Sequence, residues 1–344
     1  MKIVVLGGGR SDERDISLAS SAAILDVLRE QGHKAVFVDL FLGKKNWNGR
    51  DAIFDANDGL ACDLIKSRSL SRQEINTMYR ARGYVLGSNV LQICRCADFV
   101  FLALHGEDGE DGKIQSVLDL IGVPYNGSGT LGSALAMDKG MARQIMQENG
   151  VSVAPLVQDA PCVVKRINGG SSIDVKICDT DEELQAVLPQ IQAERDAYLI
   201  ERKIEGTEVT VSVLDGKALA PVELVTPDGY TLDYTVKYAK GETGVQEICP
   251  ARISEGSTEE VKALAAKLYR VMKLSGYSRT DFIIDRQNKV WCLEVNTLPG
   301  FTKTSALPLA AAYEGIDIGT LCEKLIDLGI QRAAKQKQLR DEEA

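Results

Sequence analysis

Basic residues are the minority charge in this 344-residue chain, 40 Lys and Arg against 49 Asp and Glu. The net charge of −9 leaves no general basic surface for nucleic acid or for an anionic membrane, so any phosphate site has to be local. Long apolar runs are missing as well, and nothing approaches the length that spans a bilayer. Met1-Lys2 leads directly into Ile3-Val-Val-Leu6 and Gly7-Gly-Gly9, too brief an apolar stretch for the core of a signal peptide. Eight cysteines are present but scattered. Cys94-Arg-Cys96 has the wrong spacing for a zinc knuckle, and no second pair or nearby histidine completes four ligands. They read as reduced, mostly buried thiols, which points to the cytoplasm. Histidine is limited to two positions, and His33, in a helix-to-strand connection, reads as a surface residue. A hydrophobic fraction of 44% with 26% charged residues excludes wholesale disorder and favours two or three globular domains.

The chain opens as strand, loop, helix, strand: Ile3 to Leu6, the Gly-rich turn, a helix over Ser17 to Arg29 closed by Gly32, and a strand over Ala35 to Val38. The turn lacks the G-x-G-x-x-G order of a dinucleotide fingerprint and suits a smaller ligand. Glu13 stands where the loop meets the helix. A carboxylate there either receives a substrate ammonium or simply favours a helix N-terminus, and the pattern does not choose between the two. Residues 41–96 read as an irregular, polar insertion with a weak helix over Ser71 to Arg82. Asp98 to Leu104 is a strongly apolar strand that runs into His105-Gly106-Glu107-Asp108-Gly109-Glu110-Asp111-Gly112. A histidine and an acidic, Gly-rich loop at the carboxyl end of a parallel strand lie where open α/β sheets bind ligands.

Further on, Cys162 to Lys165 is a strand followed by Asn168-Gly-Gly170-Ser171-Ser172, a loop of backbone donors suited to covering phosphates. Tyr198 to Glu201, then Arg202-Lys203-Ile204-Glu205 and Glu208, look like a hinge whose acids suit an adenosine amine and ribose hydroxyls. The two apolar runs Phe282 to Ile284 and Val290 to Leu293 flank a polar Asp285 to Lys289 tip and predict a β-hairpin. Alternation along a strand puts Glu294 and Asn296 on one face, and Asp281 on the neighbouring strand can join them. Two carboxylates and an amide form a hard oxygen set of the kind Mg²⁺ uses when it holds a nucleotide. Taken alone, the same residues also suit a plain surface hairpin.

Read in order, seven segments resemble the D-alanine–D-alanine ligases of the ATP-grasp superfamily. They are Gly8-Gly-Arg-Ser-Asp-Glu13 through Leu18, Leu104-His105-Gly106 with its Glu-Asp-Gly, Met137-Asp-Lys139, and Val164-Lys165 with Gly170-Ser171-Ser172. Asp233-Tyr234 through Lys237-Tyr238, Arg279-x-Asp281, and Glu294-x-Asn296-Thr-x-Pro299-Gly300 through Ser305 complete the set. The resemblance covers nearly the whole chain and implies an α/β (α+β) ATP-grasp architecture. Its expected parts are an N-terminal Rossmann-like domain over 1–125, a central unit over 126–205, a C-terminal catalytic unit over 206–335 and a charged, frayed tail over 336–344. By resemblance, Lys139, Lys165, Ser172 and Lys237 address ATP phosphates, and Glu201, Lys203, Ile204 and Glu208 the adenosine. Asp281, Glu294 and Asn296 hold two Mg²⁺ ions, which Mn²⁺ can replace.

The resemblance further implies that Glu13 receives the first D-alanine, that Arg279 and the Gly300 N–H face the oxyanion and Ser305 the second carboxylate, and that His105 is a substrate-binding residue. Glu13, Ser171 and Tyr238 form a network that reports loop closure. The implied activity is ATP-dependent joining of two D-alanines through an acyl phosphate, for peptidoglycan precursors, by a cytoplasmic homodimer. A ligase using D-serine or another amino or hydroxy acid, and a non-catalytic nucleotide-binding relative, remain the alternatives. Where the family usually has Lys-Pro, this chain has Lys165-Arg166, and Ile173-Asp174 follows Ser172 where a Gly is usual.

Overall fold

The structure is a computed structural model, and it describes residues 1–49, 52–55, 70–169, 175–193, 197–226, 245–302 and 304–343. Three sheets organise it. Lys2–Gly7 (β1), Lys34–Asp39 (β2) and Phe99–Leu102 (β3) form a parallel sheet in the order β2-β1-β3. Its strands are continuous apolar runs because both faces are covered. Arg14–Glu30 (α1) lies on the sheet through Leu18, Ile24, Leu25 and Leu28. Among the described residues four helical segments follow in this half: Ala52–Asp55 (α2), Arg72–Arg82 (α3), Val90–Arg95 (α4) and Lys113–Ile121 (α5).

Thr130–Met137 (α6) and Lys139–Glu148 (α7) lead into a small antiparallel sheet of Cys162–Arg166 (β4), Lys176–Cys178 (β5) and Tyr198–Arg202 (β6), ordered β5-β4-β6. Alternation splits its two faces. Cys162, Val164 and Cys178 pack with Leu184 of Asp181–Ala193 (α8). Val163, Lys165, Ile177 and Glu201 point the other way and line a cavity.

The largest sheet holds Gly206–Leu214 (β7), Lys217–Ala218 (β8), Val222–Val225 (β9), Gln246–Ile248 (β10), Tyr277–Asp285 (β11) and Val290–Asn296 (β12). Val209, Val211, Val213, Phe282 and Ile284 bury against Val261, Ala265 and Leu268 of Glu255–Val271 (α9). Ala136, Ala142 and Met146 of α6 and α7 join this same core, so these two helices pack on the large sheet rather than on the small one that follows them in the chain. The chain closes with Ala306–Tyr313 (α10) and Ile318–Glu343 (α11). Leu307, Leu321, Leu325 and Ile326 return to the core of the N-terminal sheet. The charged tail expected to fray from 336 instead continues α11 to Glu343. Its Ala, Lys, Gln, Leu and Glu content favours helix, and Arg340 Nη1 donates to the Asp119 carbonyl at 3.4 Å.

Candidate active site

The cavity between the small sheet and the large sheet has a volume of about 720 Å³. The β11–β12 hairpin forms its floor. Asp281 pairs directly with Glu294 across the two strands, and Arg279 with Asn296. A register shift between Asp281 and Phe282 inserts Leu293 as an extra residue and bends the hairpin at this point. Asn296 Nδ2 lies 3.3 Å from Asp281 Oδ2 and 3.4 Å from Glu294 Oε1, so the three expected ligands do share a face. Asp281 is buried and fully engaged: it accepts Thr210 Oγ1 at 2.6 Å and the Arg279 fork at 2.9 and 2.7 Å. Two carboxylates and an amide suit a hard divalent cation, although a metal at Asp281 has to displace one of those donors. Among the described residues no cluster of three or more His, Cys, Asp or Glu offers a rival metal site.

Two lysines close the floor from the other side. Lys139 opens α7, where the Asp138 side chain caps the helix by accepting Met141 N–H at 2.9 Å. Its ammonium lies 3.3 Å from Glu294 Oε2 and also donates to the Gly169 carbonyl, at the base of the expected phosphate loop. Lys165 on β4 reaches Glu201 Oε2 on β6 at 2.5 Å, and Arg143 of α7 holds the other oxygen at 2.9 Å. The Glu201 carboxylate, expected to face adenosine, is therefore turned onto two cations. Lys203 pairs with Asp179 at 2.6 Å, and Lys203, Ile204 and Glu208 all line the cavity. Ser171, Ser172, Lys237 and Tyr238 lie outside the described residues.

The expected amino-acid end lies where β1 and β3 finish. Gly8 has φ +70°, and a Cβ there would stand 2.5 Å from Asp39 Oδ2, so only glycine fits. Gly8 N–H donates to Ser17 Oγ, which in turn donates to the Ala103 carbonyl and ties the loop to β3. Glu13 occupies the N-cap position of α1 without a capping hydrogen bond from its side chain, and it is buried. Its Oε2 lies so close to Gly106 that a Cβ on that residue would meet it at 2.6 Å. His105 shares a 3.1 Å hydrogen bond between Nε2 and Ser20 Oγ, and burial drops its pKa to about 4, so the ring is neutral.

Glu110 was not singled out from the acidic loop, yet it is the joint of this end. It accepts Gly106 N–H at 2.8 Å and Leu298 N–H at 3.2 Å, linking the N-terminal loop to the segment leading to Gly300. Burial, reinforced by Glu13, raises its pKa to about 8. Gly300 sits beside Ser305, whose Oγ accepts Thr302 N–H at 3.1 Å. The insertion is not remote either. Arg72 of α3 reaches Asp12 at 3.0 Å, and Arg10 stacks over the Tyr79 ring at 4.6 Å. Arg143 was also missed, although its place one helical turn after Lys139 puts both on one face of α7.

Two family models match, D-ala D-ala ligase N-terminus over residues 2–128 and D-ala D-ala ligase C-terminus over 138–327. The chain belongs to this family. It is 37% identical to the D-alanine–D-alanine ligase of Pediococcus pentosaceus, covering 96% of this chain and 98% of that protein. It is 36% identical to that of Lacticaseibacillus casei over 95% of each. Among solved structures, the D-alanine–D-alanine ligase of Bacillus anthracis complexed with ATP superposes with a TM-score of 0.71 at 26% identity, over 98% of this chain and 99% of that one. The Coxiella burnetii enzyme gives 0.75 at 23% identity over 99% and 97%, which supports the fold. The architecture is that of the ATP-grasp ligases, as the sequence indicates.

Proposed function

We propose that this chain joins two D-alanines to D-alanyl-D-alanine with conversion of ATP to ADP and phosphate, supplying a peptidoglycan precursor. The observation that carries the reading is the meeting of Asp281 and Glu294 with Lys139 and Lys165 around one cavity, with the Asn296 amide bonded to both carboxylates. Family membership and relatives of the same name along nearly the whole chain agree with it.

A carboxylate at neutral pH is a poor electrophile, so the site has to supply a leaving group and then manage charge. Glu13 receives the first substrate's ammonium and aims its carboxylate at the γ-phosphate. The carboxylate oxygen bonds to phosphorus, the bridging oxygen leaves with ADP, and an acyl phosphate remains. The amine of the second D-alanine attacks the carbonyl carbon, loses its proton, and phosphate departs. Arg279 and the Gly300 N–H take up the oxyanion charge in between. Lys139 and Lys165 exchange their present carboxylate partners for phosphate oxygens, and Ser172 and Lys237 close over them. Lys203, Ile204, Glu208 and the strand carrying Glu201 form the adenosine end. Ser305 receives the second carboxylate, His105 stays neutral at the substrate end, and Ser171 with Tyr238 completes the closure network around Glu13. Mg²⁺, as two ions or with Mn²⁺ in its place, would be held by Asp281, Glu294 and Asn296 and would neutralise phosphate charge.

No helix among the described residues is long and apolar enough to cross a membrane. A cytoplasmic homodimer with ATP and D-alanine as its small-molecule partners is part of the same reading. The test is phosphate release over a panel of D- and L-amino acids, followed by competition between D-alanine and excess D-lactate from pH 6 to 9, with products identified by mass. The dipeptide is expected throughout, because the segment from Tyr234 to Ala251 contains no histidine whose charge could favour lactate over a protonated amine. Predominant depsipeptide at neutral pH, or turnover only with another amino acid, would refute it.

A further inference from the structure

Lys165 and Arg143 share one carboxylate. Lys165 Nζ lies 2.5 Å from Glu201 Oε2, and Arg143 Nη1 lies 2.9 Å from Glu201 Oε1. The register places them there. Val163 is paired with Glu201 and Lys165 with Leu199, so Lys165 and Glu201 are diagonal neighbours on one face of the small sheet. Arg143 arrives from α7, a helix packed on the other sheet, and it is buried. The main cavity is lined by Lys165 and Glu201 but not by Arg143, which stands behind them with Ala142, Met146 and Cys292.

The arithmetic of charge then matters. If Lys165 turns to a phosphate, Glu201 loses one cation. A carboxylate this deeply buried and left with no counter-charge is strongly unfavourable, and that penalty opposes the lysine's departure. Arg143 removes the opposition, because it is always charged and stays on the far oxygen.

We propose that Arg143 is a positioning residue for nucleotide phosphates: it keeps Glu201 neutralised so that Lys165 is free to exchange Glu201 for ATP. The inference rests on the ATP-dependent reading above and deepens it, and it also explains why a phosphate-binding lysine can be stored on a glutamate. Arg143 itself touches no substrate. Its influence is confined to ligands carrying the phosphates that Lys165 reaches.

The experiment is equilibrium binding of a non-hydrolysable ATP analogue, and separately of adenosine, to the full chain with Mg²⁺. Arg143→Met should weaken the ATP analogue roughly 10- to 100-fold and leave adenosine within about twofold. Arg143→Lys should restore most of the loss. In a Glu201→Gln background, where no carboxylate can be stranded, Arg143→Met should have little further effect on the analogue. This double-variant arm also carries the test if Arg143→Met alone does not fold. Equal weakening of adenosine and the ATP analogue, no rescue by lysine, or an undiminished effect in the Glu201→Gln background would overturn the inference. Normal ATP binding by Arg143→Met overturns it while leaving the functional reading intact. Failure of the unmodified chain to bind ATP at all overturns both.

Discussion

At the scale of single residues, the hairpin acids and the helix-start acid make separable claims. Glu294 faces Lys139 and Asn296, and Glu294→Gln removes a charge without adding bulk. Ligation should fall by a factor on the order of 100, with stability unchanged to within about 0.5 kcal/mol. Activity near that of the unmodified protein would sink the metal assignment. Glu13→Gln should instead raise the apparent KM for the first amino acid far more than that for ATP, because its carboxylate sits at Gly106, and neither residue lines the cavity that holds Lys139 and Lys165. Equal shifts in both constants would return Glu13 to a helix-start role. These residues were legible because strand alternation and a strand-to-helix junction fix direction locally. Glu110 and Arg143 were not, since each acts through partners distant in the chain: Leu298 is 188 positions from Glu110, and Glu201 is 58 from Arg143. The sequence suits Glu201 to an adenosine, and nothing local announces the two cations it holds.

At the scale of elements, short-range chemistry was readable and packing partners were not. Phe282 to Ile284 and Val290 to Leu293 do become a hairpin, with Asp285 accepting the N–H groups of Gln287 and Lys289 across its tip. The sequence also marks a helix from Ser71 to Arg82, and the structure gives it a full capping box. Ser71 Oγ accepts Glu74 N–H at 3.2 Å, and Glu74 Oε2 accepts Ser71 N–H at 2.8 Å. What the sequence could not convey is that this helix leans on the loop between β1 and α1 through Arg72 and Tyr79. Ser71→Ala should therefore cost about 1 kcal/mol in local helix stability. Amide hydrogen exchange over 72–82 should quicken, while the unfolding midpoint of the whole protein barely moves. Unchanged exchange there would mean that the contacts with the loop, not the cap, hold the helix.

For the whole molecule, Glu110 ties the loop after the N-terminal sheet to the segment that follows the large sheet's last strand, and that junction has a pH signature. In the unfolded chain a glutamate titrates near 4.5, whereas burial raises Glu110 to about 8. Between those values the folded protein keeps a proton that the unfolded chain has released. Its contribution to stability is therefore complete below pH 4.5 and is lost as pH rises through 8. His105 works in the opposite sense over a lower range. Its pKa falls from 6.5 to about 4, so its contribution is present above pH 6.5 and lost as pH falls toward 4. The two overlap and partly cancel below pH 6.5, and only Glu110 remains between 6.5 and 8. Among the described residues the other resolved shifts fall outside that interval, because the lowered carboxylates titrate below their usual range and the buried thiols and phenols above theirs. Urea unfolding should accordingly show stability declining from pH 6.5 to pH 8 in the unmodified protein. Glu110→Gln should abolish that slope, whatever its effect on absolute stability, because an amide has no proton to exchange. A flat profile in the unmodified protein, or the same slope in the variant, would show that the proton is not held at this junction between the N-terminal loop and the segment leading to Gly300.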